Sequence, residues 1–134
     1  MNNGLPTSII IFGASGDLTQ RKLIPSLFNL CRKGRMPKQF RIIGYGGTAY
    51  TDDAFRTHLE KGVKQFASFE FKAEQWSDFA PNIFYLQGKY DKLDDFETLA
   101  ESMGKWEGGT ANRIYYMATP PGVFPSIIDL LGLT

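Results

Sequence analysis

Ser8-Ile-Ile-Ile-Phe-Gly-Ala-Ser-Gly-Asp-Leu-Thr-Gln-Arg-Lys22 is the stretch whose reading decides the fold. Its first five residues are a short apolar run rich in β-branched side chains, too short for a buried helix, so Ser8 to Phe12 reads as a strand covered on both faces. Gly13 and Gly16 then bracket a tight turn, and helical spacing begins at about Leu18. Strand, glycine turn and helix in that order gather free backbone N–H groups and the positive end of a helix dipole at one point, which is what a pyrophosphate requires. The spacing G-x-x-G-x-x-T, ending at Thr19, departs from the dinucleotide fingerprint G-x-G-x-x-G, whose last glycine lets helix and strand approach closely. A threonine there predicts a slightly wider approach.

Past this turn, Leu23, Ile24, Leu27, Phe28, Leu30 and Cys31 recur at helical spacing and end at Gly34, a natural C-terminal stop. Pro25 has no N–H to give the carbonyl of Arg21, so a kink or restart is expected near Lys22 to Ile24. Lys22 then falls close to the turn, either facing a phosphate or solvated on the helix. Further strands are expected at Arg41 to Tyr45, Ile83 to Gln87 and Arg113 to Ala118, each followed by an amphipathic helix.

The second helix has Thr51 as N-cap, Asp52 and Asp53 in its first turn, and Phe55, Leu59, Val63 and Phe66 as its buried stripe. The third carries Leu93, Phe96, Leu99, Ala100 and Met103 and is expected to stop at Gly104. The last carries Phe124, Ile127, Ile128 and Leu131 and is expected to stop at Gly132. Phe69, Phe71, Trp76 and Phe79 form an aromatic connection, with a short helix over Glu74 to Phe79 burying them against the sheet edge. Met1 to Thr7 reads as a loose lead-in.

Alternating strands and helices imply an α/β fold of three layers, helix, sheet, helix, with about four mainly parallel strands in the order 3-2-1-4. The ligand crevice of such a sheet lies at the carboxyl ends of the strands, where the glycines fall.

A chain of 134 residues makes one domain with a real core. A formal net charge of +1 gives no electrostatic reason for a nucleic acid or anionic membrane partner. The single cysteine, Cys31, excludes an internal disulfide and a cysteine-rich zinc site, and reads as a small core residue in a reducing compartment. No apolar run approaches the ~20 residues needed to span a bilayer, so the chain reads as soluble and cytoplasmic.

Three patterns imitate active-site motifs. Tyr85 and Lys89 match Y-x-x-x-K, but that pair works one helical turn apart, and here it straddles a strand end where four residues span about 13 Å. His58 is the only histidine, which leaves no partner for a metal site or relay. Its helix position predicts a surface residue, opposite the face expected to meet a ligand. Ser15 lacks the spacing of the nucleophile elbow G-x-S-x-G.

Phe12 to Leu27, Phe-Gly-Ala-Ser-Gly-Asp-Leu-Thr-Gln-Arg-Lys-Leu-Ile-Pro-Ser-Leu, resembles the N-terminal signature of glucose-6-phosphate dehydrogenases. Arg41 to Gly46 (Arg-Ile-Ile-Gly-Tyr-Gly), Gly88 to Asp91 (Gly-Lys-Tyr-Asp) and Asn112 to Pro121 (Asn-Arg-Ile-Tyr-Tyr-Met-Ala-Thr-Pro-Pro) resemble the same family in order and spacing. The resemblance implies a Rossmann-like domain over residues 1–134 that binds NADP. It also implies an enzyme that oxidises glucose 6-phosphate to the phosphogluconolactone in the pentose phosphate pathway. The family's histidine motif and its E-K-P segment are absent from these residues, so a coenzyme-domain fragment is expected, without its substrate-binding catalytic domain and inactive alone. A module that senses NADP without catalysis is the alternative.

Topology and resemblance together give the candidate coenzyme residues. Gly13, Ala14, Ser15, Gly16, Asp17, Leu18 and Lys22 surround the first turn, and Gly46, Gly47 and Thr48 follow the second strand. Gln87 and Gly88 close the third strand, on the adenine side, while Ala118, Thr119, Pro120 and Phe124 close the fourth, nearer the nicotinamide. Asp17 is expected to cap backbone or bond Thr19 or Gln20, since a free carboxylate would repel a pyrophosphate. Where the family places an arginine for the 2′-phosphate this chain has Gly47, with neither Asp nor Glu to favour NAD. The missing bidentate contact is worth about 1.5–3 kcal/mol, so NADP binding weaker than the family's, or relaxed between NADP and NAD, is expected. The fourth strand, with Tyr115, Met117 and the last helix, is expected to leave an open edge through which copies associate.

Overall fold

The opening apolar run forms strand β1 (Thr7–Phe12), and every one of its six residues is buried. In the computed structural model, which describes residues 4–134, β1 lies inside a four-stranded sheet. It pairs in parallel with β2 (Phe40–Gly46) on one side and with β4 (Asn112–Met117) on the other. The strand β3 (Ile83–Gln87) pairs in parallel with β2, so the order is β3-β2-β1-β4. This is the expected topology.

Alternation along β1 divides the core. Ile9 and Ile11 face α1 (Ile24–Arg32), α2 (Asp52–Phe66) and α3 (Ala73–Phe79), packing with Ile24, Phe28, Phe55, Leu59 and Phe79. Ile10 and Phe12 face α4 (Leu93–Glu107) and α5 (Phe124–Gly132), packing with Phe96, Leu99, Met103 and Ile127. Each such buried side chain is worth about 1.5–3 kcal/mol. Apolar layers cover both faces of the central strand from Ile9 to Phe12, while its first two residues, Thr7 and Ser8, are polar and buried, the Ser8 hydroxyl donating to Glu107 at 2.7 Å. The aromatic connection behaves as expected, with Phe69, Phe71, Trp76 and Phe79 gathered around Phe28 at centroid distances of 5.3 to 6.1 Å.

Pro25 shapes the entry to α1. The chain winds a π turn over Thr19–Leu23, closed by the Ile24 N–H on the Thr19 carbonyl, and regular α winding starts only at Ile24. The wider turn answers the N–H that proline lacks. Past Arg32 the chain reverses at Gly34, whose φ of +70° suits glycine, and Arg35 N–H bonds the Leu30 carbonyl at 2.9 Å. Thr51 caps α2 as expected, its hydroxyl accepting the Ala54 N–H at 3.1 Å.

Several boundaries differ from expectation. The helix α4 runs through Gly104 to Glu107 and ends at Gly108, which has φ +68° and bonds the Gly104 carbonyl. An interior glycine weakens a helix without ending it, whereas a left-handed residue does end it. Phe66 is half-buried, beneath the Arg21 guanidinium at 4.7 Å. Cys31 is half-buried beside the core rather than within it. The lead-in is partly tied down, for Thr7 belongs to β1 and the Pro6 carbonyl accepts the Asn112 N–H at 2.9 Å; residues 1–3 of it lie outside the described residues. Finally β4 ends at Met117, placing Ala118 just past the strand.

Candidate functional site

At the carboxyl end of β1, Gly13 adopts φ +83°, and a Cβ there would lie 2.6 Å from the Ala118 carbonyl oxygen. Only a residue without a side chain lets the ends of β1 and β4 approach this closely. The turn uses part of its own donors. Gly13 N–H bonds the Tyr45 carbonyl at 3.1 Å and the Tyr90 hydroxyl at 2.8 Å, Ala14 N–H bonds the same carbonyl at 3.3 Å, and Gly16 N–H bonds Gly13 at 3.0 Å. Among the described residues, the amides of Ser15, Asp17 and Leu18 have no acceptor. The cradle is therefore narrower than the glycine pattern implies. Its donors begin at Ser15, and the Ala14 side chain is fully buried in the core.

Thr19, in the place of the fingerprint's last glycine, is fully buried with its hydroxyl donating to the Gly13 carbonyl at 3.0 Å. Threonine thus ties the turn to the first helical winding. Asp17 bonds neither the backbone nor Thr19 or Gln20, as expected of it, but pairs with Arg21 Nε at 2.8 Å. At four residues' separation the guanidinium lies nearest, and the pair neutralises a carboxylate beside the anion-seeking amides. Lys22 is exposed and lines a groove between α1 and α2 with Pro25, Asn29 and Phe66.

The end of β2 brings Gly46, Gly47 and Thr48 to the same crevice. The Ser15 and Thr48 hydroxyls are 3.2 Å apart and exposed. Gly47 is exposed with nothing within 4 Å of where its side chain would begin. Gln87 donates to the Gly47 carbonyl at 3.1 Å, joining the ends of β2 and β3. Gly88 is required by packing, since a Cβ there would overlap the Tyr45 ring. A cavity of about 400 Å³ opens here, lined by Gly47, Gly88, Tyr90, Val123 and Ser126. Past β4, Thr119 has a buried hydroxyl without a partner, Pro120 is exposed, and Phe124 is half-buried at the start of α5. A cavity of about 450 Å³ at the opposite end of the sheet touches none of the candidate residues.

Two features of the site escaped sequence reasoning. Tyr90 caps the Gly13 amide and donates to the Tyr45 carbonyl at 3.2 Å. Its one signal was its place in the Gly-Lys-Tyr-Asp stretch. His58, expected on the surface away from any ligand, is half-buried, stacked on Tyr50 at 5.5 Å and set against the Ser15 backbone. Burial and Lys61 lower its pKa against that backbone contact. The reason is helix packing: α2 crosses the π turn so closely that Gly62 lies against Gln20, whose side chain bonds the His58 carbonyl at 3.2 Å.

The phenols are structural. Burial pushes the Tyr85 hydroxyl up to about 12, and it donates to the Thr48 carbonyl at 2.6 Å. Burial also raises Tyr90, against the opposing effect of the Gly13 amide. A proton-transferring tyrosine needs the reverse shift, and Tyr85 stands on a strand with Lys89 beyond its end.

Comparison with known proteins decides the family. Residues 10–134 match the family model described as "Glucose-6-phosphate dehydrogenase, NAD binding domain". The chain belongs to this glucose-6-phosphate dehydrogenase family. It is 36% identical over 130 residues to glucose-6-phosphate 1-dehydrogenase of Chlamydia pneumoniae, covering 95% of this chain and 25% of that one. It is 38% identical over 122 residues to the Schizosaccharomyces pombe protein of that name, covering 90% of this chain and 24% of that one. A solved structure titled "Glucose-6-phosphate dehydrogenase in complex with its substrate glucose-6-phosphate" superposes with a TM-score of 0.84 at 29% identity, covering 95% of this chain and 27% of that one. The chain thus spans about a quarter of the length of its glucose-6-phosphate dehydrogenase relatives.

Proposed function

We propose that this chain is the coenzyme domain of a glucose-6-phosphate dehydrogenase and that it binds NADP. The observation that carries the reading is the first turn, where the amides of Ser15, Asp17 and Leu18 stand without protein acceptors at the mouth of the crevice. A further support is the buried Thr119 hydroxyl, left unpartnered at the end of β4. NADP, when bound, supplies the hydride acceptor.

In this reading the three free amides hold the pyrophosphate, with Gly13, Ala14 and Gly16 shaping the turn beneath it. Ser15, Thr48 and the backbone of Gly46 and Gly47 face the 2′-phosphate, while Lys22, in the groove between α1 and α2, is given no part in it. Gln87 and Gly88 flank the adenine, while Ala118, Thr119, Pro120 and Phe124 border the nicotinamide side. None of the residues named here is assigned to the sugar phosphate or to the C1 hydroxyl proton. No helix among the described residues is long and apolar enough to cross a membrane, and the cytoplasm is the compartment this reading assigns.

Titration of NADP and NAD against the purified protein tests the reading. NADP binding without measurable oxidation of glucose 6-phosphate is the expected result. A preference for NAD of about tenfold or more overturns the choice of coenzyme. A steady dehydrogenase rate overturns the division of labour.

A further inference from the structure

At the β2 end of the crevice five residues close a ring of contacts. His58 stacks on Tyr50 with ring centres 5.5 Å apart, and Tyr50 meets Tyr85 edge-on at 5.3 Å. The Tyr85 hydroxyl donates to the Thr48 carbonyl at 2.6 Å, the Thr48 and Ser15 hydroxyls lie 3.2 Å apart, and the Ser15 backbone returns to the His58 imidazole. Two members of this ring, Ser15 and Thr48, are the hydroxyls assigned above to the 2′-phosphate. Gly47 beside them has no side chain to offer. His58 is the chain's only histidine, and its Nε2 is buried without a hydrogen-bond partner.

We infer that His58 supplies, through Ser15, the positive charge that favours a 2′-phosphate in a chain with no arginine at position 47. The inference rests on the NADP reading above. His58 is a positioning residue here: its ring sits against the backbone of Ser15, whose hydroxyl pairs with that of Thr48.

The groups around it set the direction of the effect. From its own helix, Lys61 disfavours a second positive charge. From the preceding loop and from β3 come Tyr50 and Tyr85, and Asp52 is engaged by the Tyr85 N–H at 2.8 Å. On the first turn, Asp17 and Arg21 are paired with each other. The imidazole is therefore neutral in the free protein near pH 7. A phosphate dianion brought to Ser15 and Thr48 favours the imidazolium, so the 2′-phosphorylated nucleotide binds with uptake of a proton and the unphosphorylated one binds without it.

The test is the ratio of NADP to NAD affinity at about pH 6.5 and about pH 8 in the wild type and in His58→Gln. The wild-type ratio is expected to be about three- to fivefold higher at the lower pH. In His58→Gln the gain disappears and the ratio falls slightly towards acid, because the phosphate's own second ionisation, near pH 6, then acts alone. Proton NMR of the wild-type imidazole provides a second readout, its titration moving to higher pH with NADP and not with NAD. A wild-type ratio flat in pH, the same slope in His58→Gln, or an imidazole titration indifferent to NADP overturns this inference and leaves the coenzyme reading standing. Failure of both nucleotides to bind at any pH overturns the two together.

Discussion

The Tyr90 hydroxyl closes over Gly13, accepting its N–H at 2.8 Å and donating in turn to the Tyr45 carbonyl at 3.2 Å. The two residues are 77 positions apart in the chain, so the phosphate turn is held by the loop after β3. In Tyr90→Phe the ring still packs edge-on against Phe12 while both hydrogen bonds go. The expected cost is about 1 kcal/mol of stability together with a several-fold loss of dinucleotide affinity. Urea denaturation and nucleotide titration measure the two. An unchanged unfolding midpoint counts against a tie between the loops.

Two glycines predict opposite outcomes for the same substitution. Gly13→Ala places a methyl 2.6 Å from the Ala118 carbonyl at a left-handed φ, and is expected to cost more than about 2 kcal/mol by prising β1 from β4. Gly104→Ala, in the interior of α4 with nothing within 4 Å, is expected to stabilise by about 0.5–1 kcal/mol. Thermal unfolding of the pair checks both signs in one experiment.

Gly47 has room for a side chain, and its φ lies outside the left-handed region. Gly47→Arg is expected to raise the affinity for NADP about tenfold while leaving NAD nearly unchanged, since a guanidinium binds phosphate through two charge-assisted hydrogen bonds. Equal gains for both nucleotides would place the new charge at the pyrophosphate instead.

Glu107 links the end of α4 to β1 and β4, accepting from Ser8 at 2.7 Å and from Arg113 Nη2 at 2.7 Å. Burial raises its carboxyl, but the hydrogen bonds from Arg113 and Ser8 and the charges of Arg113 and Arg41 outweigh burial and set it below its ordinary value of 4.5. The unfolded chain therefore takes up the proton first. The stabilisation is complete above about pH 4.5 and is lost as pH falls through the lower, folded-state value. Glu107→Gln is expected to destabilise at neutral pH and to flatten the acid limb, read from denaturation midpoints between pH 7 and pH 3.

Among the described residues, β4 pairs with β1 alone, and Tyr115 on it and Ile128 on α5 are 37% and 58% exposed. Association that grows with concentration and weakens in Tyr115→Lys is the expected behaviour, measured by sedimentation. A monomer at millimolar concentration would show that this edge recruits no second copy.

Local chemistry was legible from residues alone. The run from Ile9 to Phe12, Thr51 as a cap and the disturbance ahead of Pro25 each act within a few positions of themselves. Gly104 misled because a glycine's role depends on its φ, which only Gly108 and its neighbours decide. Position alone sets Asp17 against the backbone, whereas its nearest cation, Arg21, stands four residues on. Tyr90 and His58 were hidden for a different reason: what they touch lies 77 and 43 positions away, and only packing brings those segments together. Even the phosphate turn was half legible, for three of its amides are already satisfied from within.

The π turn of Thr19–Leu23 inserts one residue more than α winding would hold, and this sets the phase of the first helix. Past it Ile24, Leu27 and Phe28 turn to the core, out of step by about 100° with where unbroken α winding from Leu18 would put them. Deleting a single residue inside the turn would bring them into step only by disturbing the buried Thr19, which holds the Gly13 carbonyl, and Leu23, which packs against the core. The bulge works as a phase adjuster between the mouth of the cleft and the hydrophobic interior.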